Sequence, residues 1–203
     1  PNADEGHGVV FGGQLLGQSI VAALRDHEGK RVKTVHTVFA RGASPEQGVD
    51  IDVDVMHTGR AFGSSTVTIR QGDRLCTRSV VLCSADDDDL MRHADPMPEL
   101  TPPADDAAGG QGDWQIHIVG DVDIADPDAV GPPELDVWTR WRGAPDDPGL
   151  AQALVAYTTD PFLIGTAMRP HAGIGQAQAH KTLSTGVISH TLTFHEPVTA
   201  RSP

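Results

Sequence analysis

Hydrophobic and polar positions along the chain fall into two periods. In VDIDVDVMH (49–57), Val49, Ile51, Val53 and Val55 alternate with Asp50, Asp52 and Asp54, the two-residue period of a half-buried antiparallel strand. VKTVHTVFAR (32–41) has the same strand character, and FGSSTVTIR, QGDR and LCTRSVVLC read as strand, tight turn and strand, with Gly72 and Asp73 as the hairpin signal. Ahead of these strands, about residues 14–27 carry a helical pattern within HGVVFGGQLLGQSIVAALRD. One helix followed by four strands predicts an α+β unit, a curved antiparallel sheet packed on that helix. Gly12, Gly13 and Gly17 stand in or just before the helix, although glycine costs about 1 kcal/mol against alanine in a helix interior. Gly13 and Gly17 share one helix face, which predicts a close approach of the surrounding sheet backbone there.

The period disappears over 85–112, ADDDDLMRHADPMPELTPPADDAAGGQG, which reads as a linker. Its aspartate run lacks the glycine turn and spaced ligands of a calcium loop and reads as solvated surface. Beyond it, WQIHIV and LDVWTRWRG read as strands. DDPGLAQALVAYTT places Leu150, Leu154 and Tyr157 at helical spacing, and STGVISHTLTFHEP is again strand-like. This recurrence predicts two similar halves, 1–84 and 113–203, around the linker.

With 203 residues the chain has room for one domain or two small ones. A net charge of −13 repels nucleic acid and anionic lipid surfaces, which argues against either as a partner. No apolar run reaches the length of a membrane span and no basic-then-apolar leader is visible, so membrane insertion is not expected and a cytoplasmic protein is. Cys76 and Cys83 lie seven apart within one expected strand, which places them on opposite faces where they do not bridge. The ten histidines show no HExxH or HxH spacing, so no metal site is expected. The chain starts at Pro1 rather than Met and stops at Pro203 just after an apparent strand, which reads as a partial sequence.

VFGGQLLGQSIVAAL, VHTVFAR, GRAF, DPFLIGTAMRPH and ISHTLTFHEP, in that order, resemble the acyl-CoA thioesterase II family of double-hotdog proteins. The resemblance implies two hotdog halves, each a long helix held in a curved antiparallel sheet, with the sheets joined edge to edge. It implies hydrolysis of acyl-CoA thioesters, with acyl-CoA as partner and no metal or organic cofactor. The family's water is held by an Asp, a Ser or Thr, and a Gln, without a covalent acyl-enzyme.

Carried onto this chain, the Asp is Asp160 in TTDPFLIG. By spacing alone Asp160 also reads as an N-cap for a helix over 161–168, with Pro161 at its first position. The family's hydroxyl position, three before His190, is Val187, which cannot orient a water; the substitutes are Ser189 and then Thr185, two residues to either side and expected on the same strand face. The Gln of the family falls beyond Pro203. Gly12, Gly13, Gln14, His36, Arg60 and His190 are candidate substrate-binding residues, the glycines offering N–H groups at a positive helix end but serving mainly for packing. Arg41, Arg60 and Arg169 are candidate partners for coenzyme A phosphates. Exposed sheet edges predict a homo-oligomer. The competing functions are a noncatalytic acyl-CoA or lipid binder and, more distantly, an enoyl-CoA hydratase, which needs an Asp and His together on one segment.

Overall fold

The computed structural model describes residues 2–3, 6, 8–88, 90–91, 93, 95–104, 109–179 and 181–202. The last aspartate of the acidic run, Asp89, and residues 105–108 of the expected linker lie outside the described residues. Helix α1 (Gly12–Leu24) is followed by β1 (Arg31–Phe39), β2 (Asp50–Thr58), β3 (Phe62–Gln71) and β4 (Arg74–Ser84), the helix-then-strands order expected. After the linker come β5 (Gly109–Gln111), β6 (Trp114–Ile118), β7 (Val137–Trp141), α2 (Pro148–Thr159), α3 (Leu163–Met168) and β8 (Ser189–Thr193). The linker therefore ends earlier than composition indicates: Gly109–Gln111 have no apolar period, yet their backbone pairs with β6 across a turn at Gly112.

One antiparallel sheet has the order β2-β3-β4-β1-β8; a smaller one has the order β5-β6-β7. The β3–β4 hairpin turns at Gly72, whose φ of +57° suits glycine. Leu16, Ile20 and Ala23 of α1 pack on Val32, Val35, Val67 and Val81 of the large sheet, and Phe194, just after β8, joins the same cluster. Burial of these aliphatic side chains holds helix to sheet at about 1.5–3 kcal/mol for each large residue.

The expected face of the cysteines is corrected. Both are buried free thiols, because the β3–β4 register jumps from Ile69↔Thr77 to Arg70↔Leu75 and leaves Cys76 as the extra residue of a bulge. The bulge flips the alternation, so Cys76 packs with Leu15 and Ile69 while Cys83 packs with Leu16 and Val81. Burial pushes the Cys83 thiol up to about 11, against a lowering pull from Lys30.

The close approach at the α1 glycines is also corrected: it is to α2 rather than to the sheet. A Cβ on Gly13 would stand 2.4 Å from the Tyr157 carbonyl oxygen, and one on Gly17 3.0 Å from that of Ala153. At the other end of the pair, a Cβ on Gly149 would meet Leu24 Cδ1, so the two helices run antiparallel. Helix α2 buries a face of Ala151, Gln152, Ala153 and Ala156, whereas Leu150 stays 38% exposed. The helical spacing of Leu150, Leu154 and Tyr157 is real, but the small residues beside them face the core. Gln152 then fixes α2 to β1, accepting from Val32 N at 2.9 Å and donating to Val32 O at 2.7 Å.

Strand β8 is shorter than the stretch that suggested it, and residues 184–188 form no regular element. It pairs with β1 as Thr37↔His190 and His36↔Thr191, so a segment from the C-terminal part of the chain completes the sheet of the N-terminal part.

Candidate active site

Asp147 caps α2, its carboxylate accepting from Leu150 N at 2.7 Å, with Pro148 in the first turn. The helix stops at Thr159; Asp160 is its last helical-type residue, and Pro161 brings no N–H to extend it. The reading of Asp160 as the N-cap of a helix over 161–168 is corrected, because α3 starts at Leu163 with Phe162 at its N-cap position. The Asp160 side chain does cap a helix, but the helix is α1: Gly13 N donates to Asp160 Oδ2 at 3.0 Å across 147 positions of sequence. A Cβ on Gly12 would lie 2.7 Å from that oxygen, so glycine is what lets the carboxylate seat there. The positive end of α1 favours the negative charge.

The other oxygen, Oδ1, is buried and accepts no hydrogen bond among the described residues. His190 Nδ1 lies 3.6 Å away, beyond hydrogen-bond length, while His190 Nε2 is 3.2 Å from Thr159 Oγ1. Both side chains are less than a tenth exposed. A cavity of about 450 Å³ opens beside this pair, walled by Val10, Leu15, Phe39, Ala43, Ile164 and Val187 and reached by Gly12, Asp160, Gln176 and Thr185. Three of its lining residues carry a buried polar atom with no hydrogen-bond partner among the described residues: Asp160 Oδ1, Thr185 Oγ1 and Gln176 Oε1. Leaving such an atom unpaired costs about 1–3 kcal/mol, so three around one apolar cavity mark a place built for a small polar species.

The candidates from the sequence divide accordingly. Asp160, Gly12, Thr185 and Arg41 line the cavity, Gly13 donates to Asp160 Oδ2, and His190 stands beside Asp160 Oδ1 without lining the cavity. Ser189 does not join them. The residues before it are not a strand, so the alternation that put it with Thr185 does not run through them; it is exposed, opposite the exposed Val38. His36 is likewise on the outer face, bonded to Thr191 Oγ1 at 2.7 Å. Gln14 tethers the N-terminal segment, accepting from Ala3 N and donating to Asn2 Oδ1. Arg60 stands exposed in the β2–β3 turn, and Arg169 donates to the Glu134 carbonyl. Gln176 was missed, because a polar residue in the irregular stretch AGIGQAQ has no period or motif to single it out.

Comparison with known proteins bears on the fold and the class of protein. Residues 2–84 match the family described as acyl-CoA thioesterase N-terminal domain, and residues 132–203 match the family described as acyl-CoA thioesterase. Mouse acyl-coenzyme A thioesterase 8 is 24% identical over 224 residues, an alignment covering 94% of this chain and 67% of that protein. The acyl-CoA thioesterase 2 of Haemophilus influenzae is 23% identical, covering 96% and 74%. Among solved structures, an acyl-CoA thioesterase II from Mycobacterium marinum superposes with a TM-score of 0.77 at 24% identity, covering 99% of this chain and 78% of that one. A protein of hot dog fold from Alicyclobacillus acidocaldarius gives 0.68 at 18% identity, covering 95% and 70%. The fold is thus the α+β hotdog of thioesterases. The chain belongs to the acyl-CoA thioesterase II family, hydrolases of acyl-CoA thioesters.

Proposed function

We propose that Asp160 is the general base of acyl-CoA hydrolysis in this chain, with Thr185 holding the attacking water. The observation that carries the reading is that Asp160 lines an apolar cavity with its buried Oδ1 unpartnered among the described residues while Oδ2 is fixed by Gly13 N. One oxygen is held and the other is free to take a proton. Water bound between Asp160 Oδ1 and Thr185 Oγ1 attacks the thioester carbonyl carbon as Asp160 accepts its proton. The Gly12 N–H, in the first turn of α1 where no intrahelical acceptor exists, is the donor for the developing oxyanion. Collapse breaks the carbon–sulfur bond, and the proton on Asp160 passes to the leaving sulfur. The acyl chain lies along Val10, Leu15, Phe39 and Ala43, and Arg41 at the rim meets a phosphate of coenzyme A. The same reading divides the chain into two halves around the linker, 1–84 and a second that starts with β5 at Gly109, and takes the protein as a cytoplasmic homo-oligomer. Two features support those last points: β2 is an edge strand of the large sheet, and Cys76 and Cys83 form no disulfide among the described residues.

Free-thiol release from a series of saturated acyl-CoAs tests the assignment. Asp160→Asn is expected to lower kcat by about 10²–10⁴-fold, the usual contribution of a positioned base, while binding of a nonhydrolysable acyl-CoA thioether persists. Equal rates in Asp160→Asn and the unaltered chain would remove Asp160 from the mechanism. Val187, an apolar wall where the family carries its hydroxyl, favours a second reading, a noncatalytic acyl-CoA binder. That reading expects thioether binding and no thiol release by the unaltered chain.

A further inference from the structure

Asp160 Oδ1 and His190 Nδ1 face each other, both buried, at 3.6 Å, and neither atom has a hydrogen-bond partner among the described residues. Which of them carries a proton follows from the far side of the imidazole. Thr159 has one hydroxyl proton and gives it to the Ala156 carbonyl at 2.8 Å, in the last turn of α2. Its oxygen is then an acceptor for His190 Nε2 at 3.2 Å, so the ring proton of the neutral imidazole sits on Nε2. That leaves Nδ1 as a bare lone pair turned toward Asp160.

The separation agrees with this assignment. An Nδ1–H aimed at a carboxylate closes to about 2.7–2.9 Å, whereas two acceptors keep apart, as these do. Thr37, opposite His190 on β1, offers Nδ1 nothing, because its hydroxyl is engaged with Ser79 Oγ at 2.7 Å. Among the described residues Asp160 is the charged group that His190 faces, and both side chains are less than a tenth exposed.

We infer that His190 and Thr159 are positioning residues for the proton that Asp160 takes from water: Thr159 fixes the tautomer, and His190 Nδ1 accepts a hydrogen bond from the newly protonated Oδ1. The inference rests on Asp160 acting as the base. As the water oxygen bonds to the thioester carbon, one of its O–H bonds breaks and the proton passes to Oδ1, where the new O–H turns about its carbon–oxygen bond toward Nδ1. The carbon–sulfur bond then breaks, and the same proton leaves Oδ1 for sulfur. Because the Oδ1–H to Nδ1 bond exists only after abstraction has begun, it stabilises the transition state and not the resting site.

The test uses the full chain with Thr159→Val, which removes the hydroxyl at nearly constant volume, Thr159→Ser, which keeps it, and His190→Leu, which brings no polar atom. Nitrogen NMR of the chain carrying isotope-labelled histidine, at alkaline pH and with His190 assigned by its loss in His190→Leu, reads the tautomer directly. The proton of His190 is expected on Nε2 in the unaltered chain, with the Nδ1–H form gaining population in Thr159→Val. In thiol-release assays Thr159→Val should lower kcat about tenfold, the loss of one well-placed hydrogen bond, while affinity for the acyl-CoA thioether changes less than about threefold. Thr159→Ser should recover most of that loss. In the His190→Leu background Thr159→Val should cost less than about twofold, because its effect runs through the imidazole. A proton on Nδ1 in the unaltered chain, in the other tautomer or in an imidazolium, overturns the inference. An equal loss from Thr159→Val with and without His190, the behaviour of a residue that only ends α2, overturns it as well. If Asp160→Asn keeps the full rate, this inference and the base assignment fall together; if Asp160→Asn is inactive and Thr159→Val keeps the full rate, this one falls alone.

Discussion

His36 and His190 stand in near-identical surroundings, VHTVF and SHTLTF, on strands that lie side by side. One is exposed and bonded to Thr191 on the outer face; the other is buried against Asp160 and Thr159. Cross-strand pairing explains the difference. Thr37, not His36, is opposite His190, so the inner face of β1 presents Val35 and Thr37 while the inner face of β8 presents His190 and Leu192. Shifting a period-two pattern by one residue exchanges its faces. A shared motif therefore does not imply a shared role; only the strand registered toward the helices brings its histidine to the site.

The most severe test of that contrast lies just beside β8. Thr185→Val, which deletes the hydroxyl on the cavity, is expected to cost about 10²-fold in kcat, as for other single donors in preorganised sites. Ser189→Ala, on the outer face, should stay within twofold, and the reverse ranking in thiol-release assays would place the water on the wrong side of β8. The two histidines come next. His190→Gln should lower kcat by about tenfold, roughly 1.4 kcal/mol, because it takes away the ring packed beside Asp160 Oδ1 that keeps the carboxylate in place, while His36→Gln is silent.

Stability measurements sharpen the helix contact that carries Asp160 to α1. Gly13→Ala forces a Cβ onto the Tyr157 carbonyl and should cost about 1–3 kcal/mol in urea unfolding, as overpacking does. Gly17→Ala meets the Ala153 carbonyl at 3.0 Å and gains helix propensity, so its net effect should stay below about 1 kcal/mol. The smallest effect concerns Cys83. Its thiol, held near 11 against an ordinary 9.0, stays protonated in the folded chain and should resist alkylation at pH 8. Because the folded value is the higher one, its contribution to stability is complete below pH 9 and is lost as pH rises through about 11. Denaturant titrations of Cys83→Ala across that window, compared with the unaltered chain, measure it.

Much of the architecture was legible in the order of residues. The alternation in β2, the Gly72 turn and the helix over the stretch of Leu150, Leu154 and Tyr157 are local matters, decided by backbone dihedrals and nearest neighbours, and they appear where the pattern predicts them. The same holds for Asp160, whose motif stands in the chain even though its partner does not. What local pattern could not decide was which face meets which. The bulge at Cys76, the strand status of Gly109–Gln111 and the inward turn of the alanines of α2 each depend on a partner far away in sequence.

The site follows the same division. Its chemical types, a carboxylate, a hydroxyl and a glycine-rich helix start, were determined by the sequence itself. Tertiary structure alone decided that Asp160 caps α1 rather than its own following helix, that Thr185 rather than Ser189 reaches the cavity, and that Gln176 arrives there at all. The physical reason is that hydrogen-bond satisfaction and burial are properties of assembled surfaces. Gly12, Gly13 and Gly17 show it most directly: unfavourable in an isolated helix, they become the residues that admit a second helix and its carboxylate.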